Sequence, residues 1–541
     1  MSRKNIFNLL SIVFILLLFY IFLAGIGSYS LLAKDEPRYA GCALEMIENK
    51  NWIVPKFNFQ DRFDKPILYY WMIGASYVLL GVNEFSSRLP SALCAIFLVL
   101  FTWYTVKKVL GNVPGFISAV ILATSVEYLY LGRRAATDIA LCLFFSGALY
   151  SLYLGYFIKD WKVKIFWTII SGVFAGLAML TKGPIGLVLM FGILTLFLIA
   201  RKQFDARHLK VYFLITAVAL LISLPWYVKV HLATGGEFTK VFFFTHNFER
   251  FTSVVGEHPG PFWFYFPVIL LGFMPWTLFF IPALIKLSKR LAKPSFNRFI
   301  LFCLIWAAIV FLFFSVCKTK MATYILLLFP PIAIITGYWV NILGRGKTNV
   351  LKTTLVILLL ILSICLLISN FVIPQLTIEP AFKTMLLLRI LISFSCLAIG
   401  IIILSFFARK HYALITVFVV TLAIPGVMLL STGLYIFQKI TFGDLIDFAK
   451  LARASGAREI ISFGDYKPIL VYYGRIPVDF NVKKEQLTKM RKLLSENKET
   501  YVIGYLSDIS KDKPNVQKNK DLFDRLQLIK SGKRYFLGKL S

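Results

Sequence analysis

A polar stretch, residues 33–71, carries acidic and basic side chains in close succession just after the first long apolar segment. Its charged residues include Asp35, Glu36, Arg38, Asp61, Arg62, Asp64 and Lys65, and its aromatic residues include Trp52, Tyr69, Tyr70 and Trp71. A carboxylate in such a place can take a proton from an acceptor during group transfer. Lysine and arginine bind phosphate through charge-assisted hydrogen bonds. Because ionisable groups beside a membrane segment are costly, their density here predicts a functional site.

Asp35-Glu36-Pro37-Arg38 is also typical of the start of a helix. Asp35 would then occupy the N-cap position or the one before it, and Pro37 the first turn. Capping needs neither Glu36 nor Arg38, so we expect a chemical task in addition to the cap. Lys65 has a structural alternative of its own, a lysine that extends its ammonium group to the lipid headgroups.

Two further candidates lie in loops between apolar segments. Asp138 ends the sequence RRAATD and begins an apolar segment, so it is a helix cap or a second reactive carboxylate. Arg133 and Arg134 face lipid headgroups in the first case and bind an anion in the second. His258 precedes another apolar segment, where a lone histidine is more often a capping residue than a ligand. The sequence has no dinucleotide-binding fingerprint and no P-loop, which favours a donor that is not a nucleotide.

The composition indicates a chain that lies mostly in lipid. Of its 541 residues, 58% are hydrophobic and only 16% are charged, whereas about a quarter of a soluble protein is charged. The net charge of +32 comes from lysines and arginines in short loops between apolar runs. That distribution indicates membrane orientation and argues against nucleic-acid binding. All seven cysteines except Cys42 lie in or beside apolar segments, so we expect no disulfide framework.

The apolar runs predict about thirteen transmembrane helices, each near the ~20 residues that a bilayer requires. They are residues 6–26, 86–106, 114–131, 139–158, 166–181, 185–200, 211–231, 262–285, 299–316, 323–343, 353–373, 385–407 and 412–437.

Residues 67–82 are apolar but short, and they are rich in tyrosine and tryptophan. If this segment lies in the interface, every short basic loop falls on the same side of the membrane. If it crosses, the first basic loop is separated from all the others. We therefore expect a cytoplasmic N-terminus, with residues 33–85 and the C-terminus on the outer side.

After residue 437 the sequence becomes charged and its periodicity mixed. Residues 444–455 and 484–497 predict helices, and residues 459–463, 470–473, 500–506 and 534–538 predict strands. This alternation is typical of a small α/β domain. The expected fold class is an all-α polytopic membrane domain, residues 1–437, followed by an extracytoplasmic α/β domain, residues 438–541.

A series of motifs resembles the aminoarabinose transferase family, one branch of the C-type glycosyltransferases that include the protein O-mannosyltransferases. The motifs are DEPRYA (35–40), NWIVP (51–55), DKP (64–66), RRAATD (133–138), TKGP (181–184), HPGPFWFY (258–265) and KTKMATYILLLFPP (318–331). The resemblance extends from the first helix through Pro331, and it is more specific for the superfamily than for the sugar.

The resemblance implies roles for individual residues. Asp35 is the expected catalytic carboxylate and Asp138 a second one, while Arg38, Lys65 and Tyr324 would bind the lipid phosphate. The other expected substrate-binding residues are Glu36, Arg62, Arg133, Arg134, Lys318 and Lys320. Relatives hold a divalent ion between two residues that correspond to Asp64 and His258. Aspartate is shorter than the glutamate common there, and two ligands fall short of a zinc site. We therefore expect no required cofactor and, at most, a structural divalent metal.

The function that the resemblance implies is sugar transfer from undecaprenyl phosphate in the bacterial inner membrane. Aminoarabinose is the expected sugar, and lipid A the expected acceptor. The same chemistry with galactosamine, mannose or a protein acceptor is the alternative. A lipid flippase is a more remote one, because it would need ionisable residues at the middle of the spans. Partners are then the lipid-linked donor, the acceptor and membrane lipids, without nucleic acid.

Overall fold

The structure is a computed structural model that describes residues 3–32, 34–156, 158, 160–243, 259–291, 296–346, 348–372, 380–406, 411–463, 466–496, 499–509, 517 and 519–540. Its chain divides into two compact units. The first, here the helical unit, comprises Met1–Ile26, Phe63–Met72 and Arg88–Thr432. The second, here the mixed unit, comprises Gly27–Arg62, Ile73–Ser87 and Gly433–Ser541. The polar stretch is therefore divided, with Asp64 and Lys65 in the helical unit and Asp35, Glu36 and Arg38 in the mixed unit.

Helices dominate the described residues. They are α1 (Arg3–Leu23), α2 (Asp35–Glu48), α3 (Leu68–Leu80), α4 (Glu84–Leu110), α5 (Asn112–Thr124), α6 (Val126–Gly132), α7 (Thr137–Tyr156), α8 (Trp161–Lys182), α9 (Ile185–Ala200), α10 (Arg207–Ala233), α11 (Glu237–Lys240), α12 (Tyr265–Gly272), α13 (Thr277–Ser288), α14 (Arg298–Val316), α15 (Phe329–Gly346), α16 (Thr348–Val372), α17 (Pro380–Phe406), α18 (His411–Ala454), α19 (Ile469–Gly474), α20 (Lys483–Ser495) and α21 (Lys520–Phe523). Three shorter 3₁₀ turns are Phe262–Phe264, Ala322–Leu328 and Leu506–Asp508.

Each apolar run contains helix, but the count of thirteen spans is not confirmed. Eight helices among the described residues are long and apolar enough to cross a membrane, and two bent pairs raise the number to ten. Four shorter apolar segments of helix, each of 10 to 17 residues, are Phe7–Leu23 within α1, Leu68–Leu80, Ile185–Ala200 and Asn349–Cys365 within α16. Ile185–Ala200 has 16 residues, which at 1.5 Å per residue reach about 24 Å, slightly less than a hydrocarbon core of about 30 Å.

The two bent pairs contact each other within the helical unit. The axes of α5 and α6 differ by 67°, and the axes on either side of the 272–277 break differ by 119°. The Trp276 indole N–H donates to the Thr124 hydroxyl at 2.8 Å, and the Val126 amide donates to the Met274 carbonyl at 3.3 Å. The second bond pairs a backbone amide at the start of α6, as an apolar surrounding requires, and the first links the two bent pairs through their side chains.

The mixed unit contains a hairpin of β1 (Lys56–Phe57) and β2 (Gln60–Asp61) and a five-stranded sheet of β3 (Ile460–Ser462), β4 (Val478–Asp479), β5 (Thr500–Tyr505), β6 (Leu526–Ser531) and β7 (Tyr535–Leu540). The strand order in the sheet is β4-β3-β5-β7-β6. β3 is parallel to β4 and β5, whereas β7 is antiparallel to β5 and β6. A buried cluster that includes Ile461, Met490 and Phe536 forms a core of its own.

One predicted strand is wrong. Residues 470–473 lie in the short helix α19, which follows Pro468. The fixed φ of proline suits the start of a helix, and a run of only a few apolar residues does not distinguish helix from strand by its period. α20 and the strands β3, β5 and β7 overlap their predicted segments, and the helix predicted at residues 444–455 corresponds to the end of α18, which stops at Ala454.

Candidate functional site

A cavity of about 400 Å³ in the helical unit contains several of the expected site residues. Asp64, Lys65, Asp138, Lys182 and Tyr324 line its polar part. The apolar part comes mainly from leucine, isoleucine, valine and phenylalanine side chains: Leu141, Ile185, Val188, Phe242, Phe243, Phe313, Phe314, Leu326 and Leu327. A cavity with charged groups on one part and hydrocarbon on another suits an amphipathic ligand.

Asp138 and Lys182 form a partly buried ion pair in this cavity. The Lys182 ammonium donates to the Asp138 carboxylate at 2.7 Å, and the side chains are only 16% and 14% exposed. Asp138 lies in the first turn of α7 and Lys182 ends α8. A carboxylate at a helix N-terminus and an ammonium at a helix C-terminus each interact favourably with the partial charge of that helix end. Lys182 belongs to the TKGP motif, but it is not among the site residues that the sequence predicts.

Tyr324 joins the ion pair from a different segment of the chain. It lies in the 3₁₀ turn Ala322–Leu328, and the Lys182 ammonium is 4.5 Å from the centre of its ring. The Phe314 ring, 5.7 Å away, flanks it on the apolar side. The tyrosine thus combines a cation–π contact with a phenol that can donate to an anion.

Asp64 and Lys65 reach the cavity from the segment just before α3. The Lys65 ammonium donates to the Asp64 backbone carbonyl at 3.1 Å, and both residues are partly buried. Pro66 ends the DKP motif and Leu68 begins α3, so this short segment is held between a proline and a helix start. The structure therefore brings together Asp64, Lys65, Asp138 and Tyr324, which are far apart in sequence.

Asp35 and Arg38 occupy the first turn of α2 in the mixed unit. Their charged groups are 3.6 Å apart, and the Asp35 side chain is 46% exposed. The Arg38 Nε donates to the Tyr466 hydroxyl at 2.9 Å, and the guanidinium lies 4.7 Å from the centre of that ring. Tyr466 holds the arginine in place, and no sequence signal identified this tyrosine.

Glu36 is fully buried, and its carboxylate accepts a 2.6 Å hydrogen bond from the Leu32 amide. It fixes the segment that enters α2. Arg62 is partly buried and lies 5.6 Å from the Phe57 ring.

Glu45 stabilises the hairpin of β1 and β2. Its carboxylate accepts hydrogen bonds from the Asn58 amide at 2.7 Å and the Phe59 amide at 3.0 Å. Both turn residues have positive φ, 58° and 62°, as a two-residue hairpin of type I′ requires. Burial raises the pKa of the Glu45 carboxyl, and the hydrogen bonds from Phe59 and Asn58 oppose that shift.

Arg133 and Lys320 are buried and bond to helix ends. Arg133 donates to the Ile21 and Ala24 carbonyls at 2.5 and 2.6 Å, near the end of α1. The Lys320 ammonium donates to the Phe314, Ser315 and Cys317 carbonyls at 3.2, 2.8 and 2.6 Å. Carbonyls at helix C-termini lack hydrogen-bond donors within the helix, and Arg133 and Lys320 donate to them instead. Burial lowers the pKa of Lys320, and the neighbouring Cys317 opposes the shift.

The remaining expected residues are more peripheral. Arg134 donates to the Tyr130 hydroxyl at 2.8 Å, and Lys318 is exposed. His258 lies outside the described residues, so its pairing with Asp64 around a metal stays a prediction. No group of three or more His, Cys, Asp and Glu side chains suited to a metal occurs in the described part of the chain.

Comparisons with known proteins show which proteins this chain is similar to. The family model "Dolichyl-phosphate-mannose-protein mannosyltransferase" matches residues 64–228. An undecaprenyl phosphate-alpha-4-amino-4-deoxy-L-arabinose arabinosyl transferase of Shewanella sediminis is 31% identical over 357 residues, 65% of this chain and 62% of that protein. A protein of the same name from Pectobacterium carotovorum is 30% identical over 347 residues, 63% of this chain and 60% of that protein. The crystal structure of ArnT from Cupriavidus metallidurans bound to undecaprenyl phosphate has a TM-score of 0.82 at 19% identity, and the match covers 100% of this chain and 99% of that one.

The resemblance predicted from the motifs is confirmed by these similarities. The match covers less than two thirds of the length of either arabinosyl transferase. The structural match extends over the whole chain and shows that it has the fold of ArnT.

Proposed function

We propose that this chain is a membrane glycosyltransferase that moves a sugar from undecaprenyl phosphate to lipid A, with 4-amino-4-deoxy-L-arabinose as the sugar. The observation that carries the proposal is the cavity of the helical unit. Its cations and phenol suit a phosphate, and its hydrocarbon wall suits a prenyl chain. The relatives named for this reaction, and the similar structure that is bound to undecaprenyl phosphate, support the choice of donor.

Donor binding falls to Lys65, Tyr324 and Arg38. In the cavity, Lys65 supplies a charge and Tyr324 a hydroxyl donor. We assign Arg38 the same task from its motif. Lys182 contacts both Asp138 and Tyr324. It orients these two side chains and adds positive potential to the cavity. Asp64 and Asp138 contribute negative charge to the same cavity, which suits a sugar that carries an amine.

Transfer follows from these assignments as a single displacement. An acceptor oxygen attacks the anomeric carbon, and the bond from that carbon to the phosphate oxygen breaks. Undecaprenyl phosphate leaves with the electron pair, and Asp35 takes the acceptor proton. The cations stabilise the charge that grows on the departing phosphate. One displacement inverts the configuration at the anomeric carbon.

Thirteen spans are part of the proposal. The eight helices that pass the length and hydropathy test, the two bent pairs and the apolar helices α1, α9 and α16 add up to that number, with α3 in the interface. The N-terminus is then cytoplasmic and residues 438–541 form a periplasmic domain at the inner membrane. A metal is not required in this scheme.

Mass spectrometry of lipid A tests the proposal directly. Lipid A from a host strain that lacks its own aminoarabinose transferase should gain aminoarabinose when this chain is expressed, provided that the host makes the lipid-linked donor. A different added sugar would keep the chemistry and replace the donor. Unmodified lipid A, despite expressed protein and available donor, would contradict the lipid A assignment.

A further inference from the structure

A second cavity of about 610 Å³ lies in the helical unit. Lys108, Arg298, Asn297, Tyr104, Tyr153 and Trp167 are among the residues that line it. None of the residues around this cavity takes part in the proposed transfer reaction.

The two cavities lie toward opposite ends of the same helices. Asp138 near the start of α7 lines the first cavity, and Tyr153 near its end lines the second. Fifteen residues of helix separate them by about 22 Å at 1.5 Å per residue. In α8 the order is reversed, with Trp167 in the second cavity and Lys182 in the first. The second cavity therefore faces the other leaflet of the membrane.

Two cations give this cavity its charge. Lys108 lies in the last turn of α4, and Arg298 is the first residue of α14. Among the described residues no carboxylate lines the cavity. The Asn297 carboxamide oxygen accepts hydrogen bonds from the Phe299 and Ile300 amides at 2.9 and 3.2 Å, which leaves its amide N–H groups as the donors for a ligand. The site thus offers positive charge and donors, which an anion requires.

The wall of the cavity is aromatic and adjoins the lipid-exposed face of α8. The Lys108 ammonium is 5.7 Å from the centre of the Tyr104 ring, and Trp167 is half-buried against Gly155. Phe166, next to Trp167, is 55% exposed, and Ile169 is 39% exposed. Tyrosine and tryptophan favour the level of the headgroups, and exposed apolar side chains beside them favour acyl chains.

We propose that this cavity binds the headgroup of an anionic glycerophospholipid in the leaflet opposite to the donor cavity. The phosphate lies between Lys108 and Arg298, and the acyl chains follow the exposed face of α8. Basic pockets between transmembrane helices are sites at which anionic headgroups are recognised. The occupant is a resident lipid, because the sugar donor and its acceptor belong to the first cavity.

Native mass spectrometry of the purified full-length protein in detergent tests the inference. Dioleoylphosphatidylglycerol is added in one series and dioleoylphosphatidylcholine in another, at equal concentration. The wild type should retain phosphatidylglycerol preferentially, and a Lys108→Ala/Arg298→Ala variant should lose about thirtyfold in affinity for it. The control is Lys107→Ala/Arg290→Ala, which removes two charges whose residues are exposed and do not line the cavity. Equal losses in both variants, or none in either, would overturn the proposal.

A second measurement keeps the test valid if the double variant folds poorly. Phosphatidylglycerol with brominated acyl chains should quench tryptophan fluorescence in the wild type and in a Lys108→Arg/Arg298→Lys variant. The quenching should fall in Trp167→Phe, whereas quenching that is unchanged there would place the lipid elsewhere. Inorganic phosphate at millimolar concentration should not displace the lipid. Displacement by phosphate alone would show a site for soluble anions and refute a lipid site.

Discussion

At the scale of single residues, the proposed function depends on how charge is placed around the cavity that Asp64, Lys65, Asp138, Lys182 and Tyr324 line. Lys65 and Lys182 both line this cavity, but the structure gives them different hydrogen-bond partners. The ammonium of Lys182 bonds to Asp138 and lies over Tyr324, whereas Lys65 donates to the carbonyl of its neighbour Asp64. We propose Lys65 for the donor phosphate because it belongs to the DKP motif and lines the cavity, and we propose that Lys182 positions its neighbours.

Lys65→Ala should raise the donor KM about tenfold, because one charge-assisted hydrogen bond to phosphate is lost. The acceptor KM should change little. Initial-rate kinetics with varied donor and varied acceptor separate the two effects. Lys56→Ala is the matched control, since Lys56 forms a surface pair with Asp61 at 3.5 Å and does not line the cavity. Unchanged donor kinetics in Lys65→Ala would remove its proposed contact with the phosphate.

Asp138→Asn should destabilise the protein by about 3 kcal/mol, because it leaves the Lys182 ammonium partly buried without its carboxylate. Lys182→Met should have a similar cost. The double variant should lose clearly less than the sum of the two, since neither charge is then left without its partner. Thermal unfolding in detergent measures all three. Additive losses would show that the pair is not coupled.

Glu45→Gln should change how stability depends on pH. Burial raises the pKa of Glu45 in the folded state, so the folded protein binds this proton more tightly than the unfolded chain does. Its contribution is then full below the unfolded pKa and declines as pH rises toward the folded pKa. The variant should lack this decline. Melting temperatures measured from about pH 4 to 7 would contradict the assignment if both proteins gave parallel curves.

At the scale of elements, the sequence predicted most helices because long apolar runs specify their positions directly. The sequence does not predict the breaks within those runs, because Ser125 and the 272–277 segment lie within apolar sequence. Tertiary hydrogen bonds, such as the one from Trp276 to Thr124, link the bent helices. The short segments of the mixed unit were harder, and residues 470–473 were wrongly predicted as a strand.

The candidate site, too, could be predicted from sequence only in part. Asp64, Lys65, Asp138 and Tyr324 were identified from motifs, and they line one cavity. Lys182 and Tyr466 are not among the predicted site residues, because each gains its partner only through long-range packing. The burial of Lys320 and Arg133 at helix ends could likewise not be predicted, because the sequence shows their charge but not the backbone carbonyls that pack around them.

At the scale of the whole molecule, the central matter is which side of the membrane each segment faces. Basic loops share one side only if α3 stays in the interface and thirteen segments cross. A C-terminal reporter should therefore be extracytoplasmic. Alkaline phosphatase fused to the C-terminus should be active and a fluorescent reporter that folds only in the cytoplasm should be dark. The reverse result would place residues 438–541 in the cytoplasm and contradict the proposed topology.

The most direct test of the account is sugar transfer by the purified protein with undecaprenyl phosphate-linked aminoarabinose and lipid A, followed by mass spectrometry. The wild type should modify the acceptor, and Asp35→Asn should slow transfer by at least about a hundredfold while it still binds undecaprenyl phosphate. Asp61→Asn, which alters a carboxylate 41% exposed on the same stretch, should retain activity. Transfer at the wild-type rate by Asp35→Asn would contradict the account.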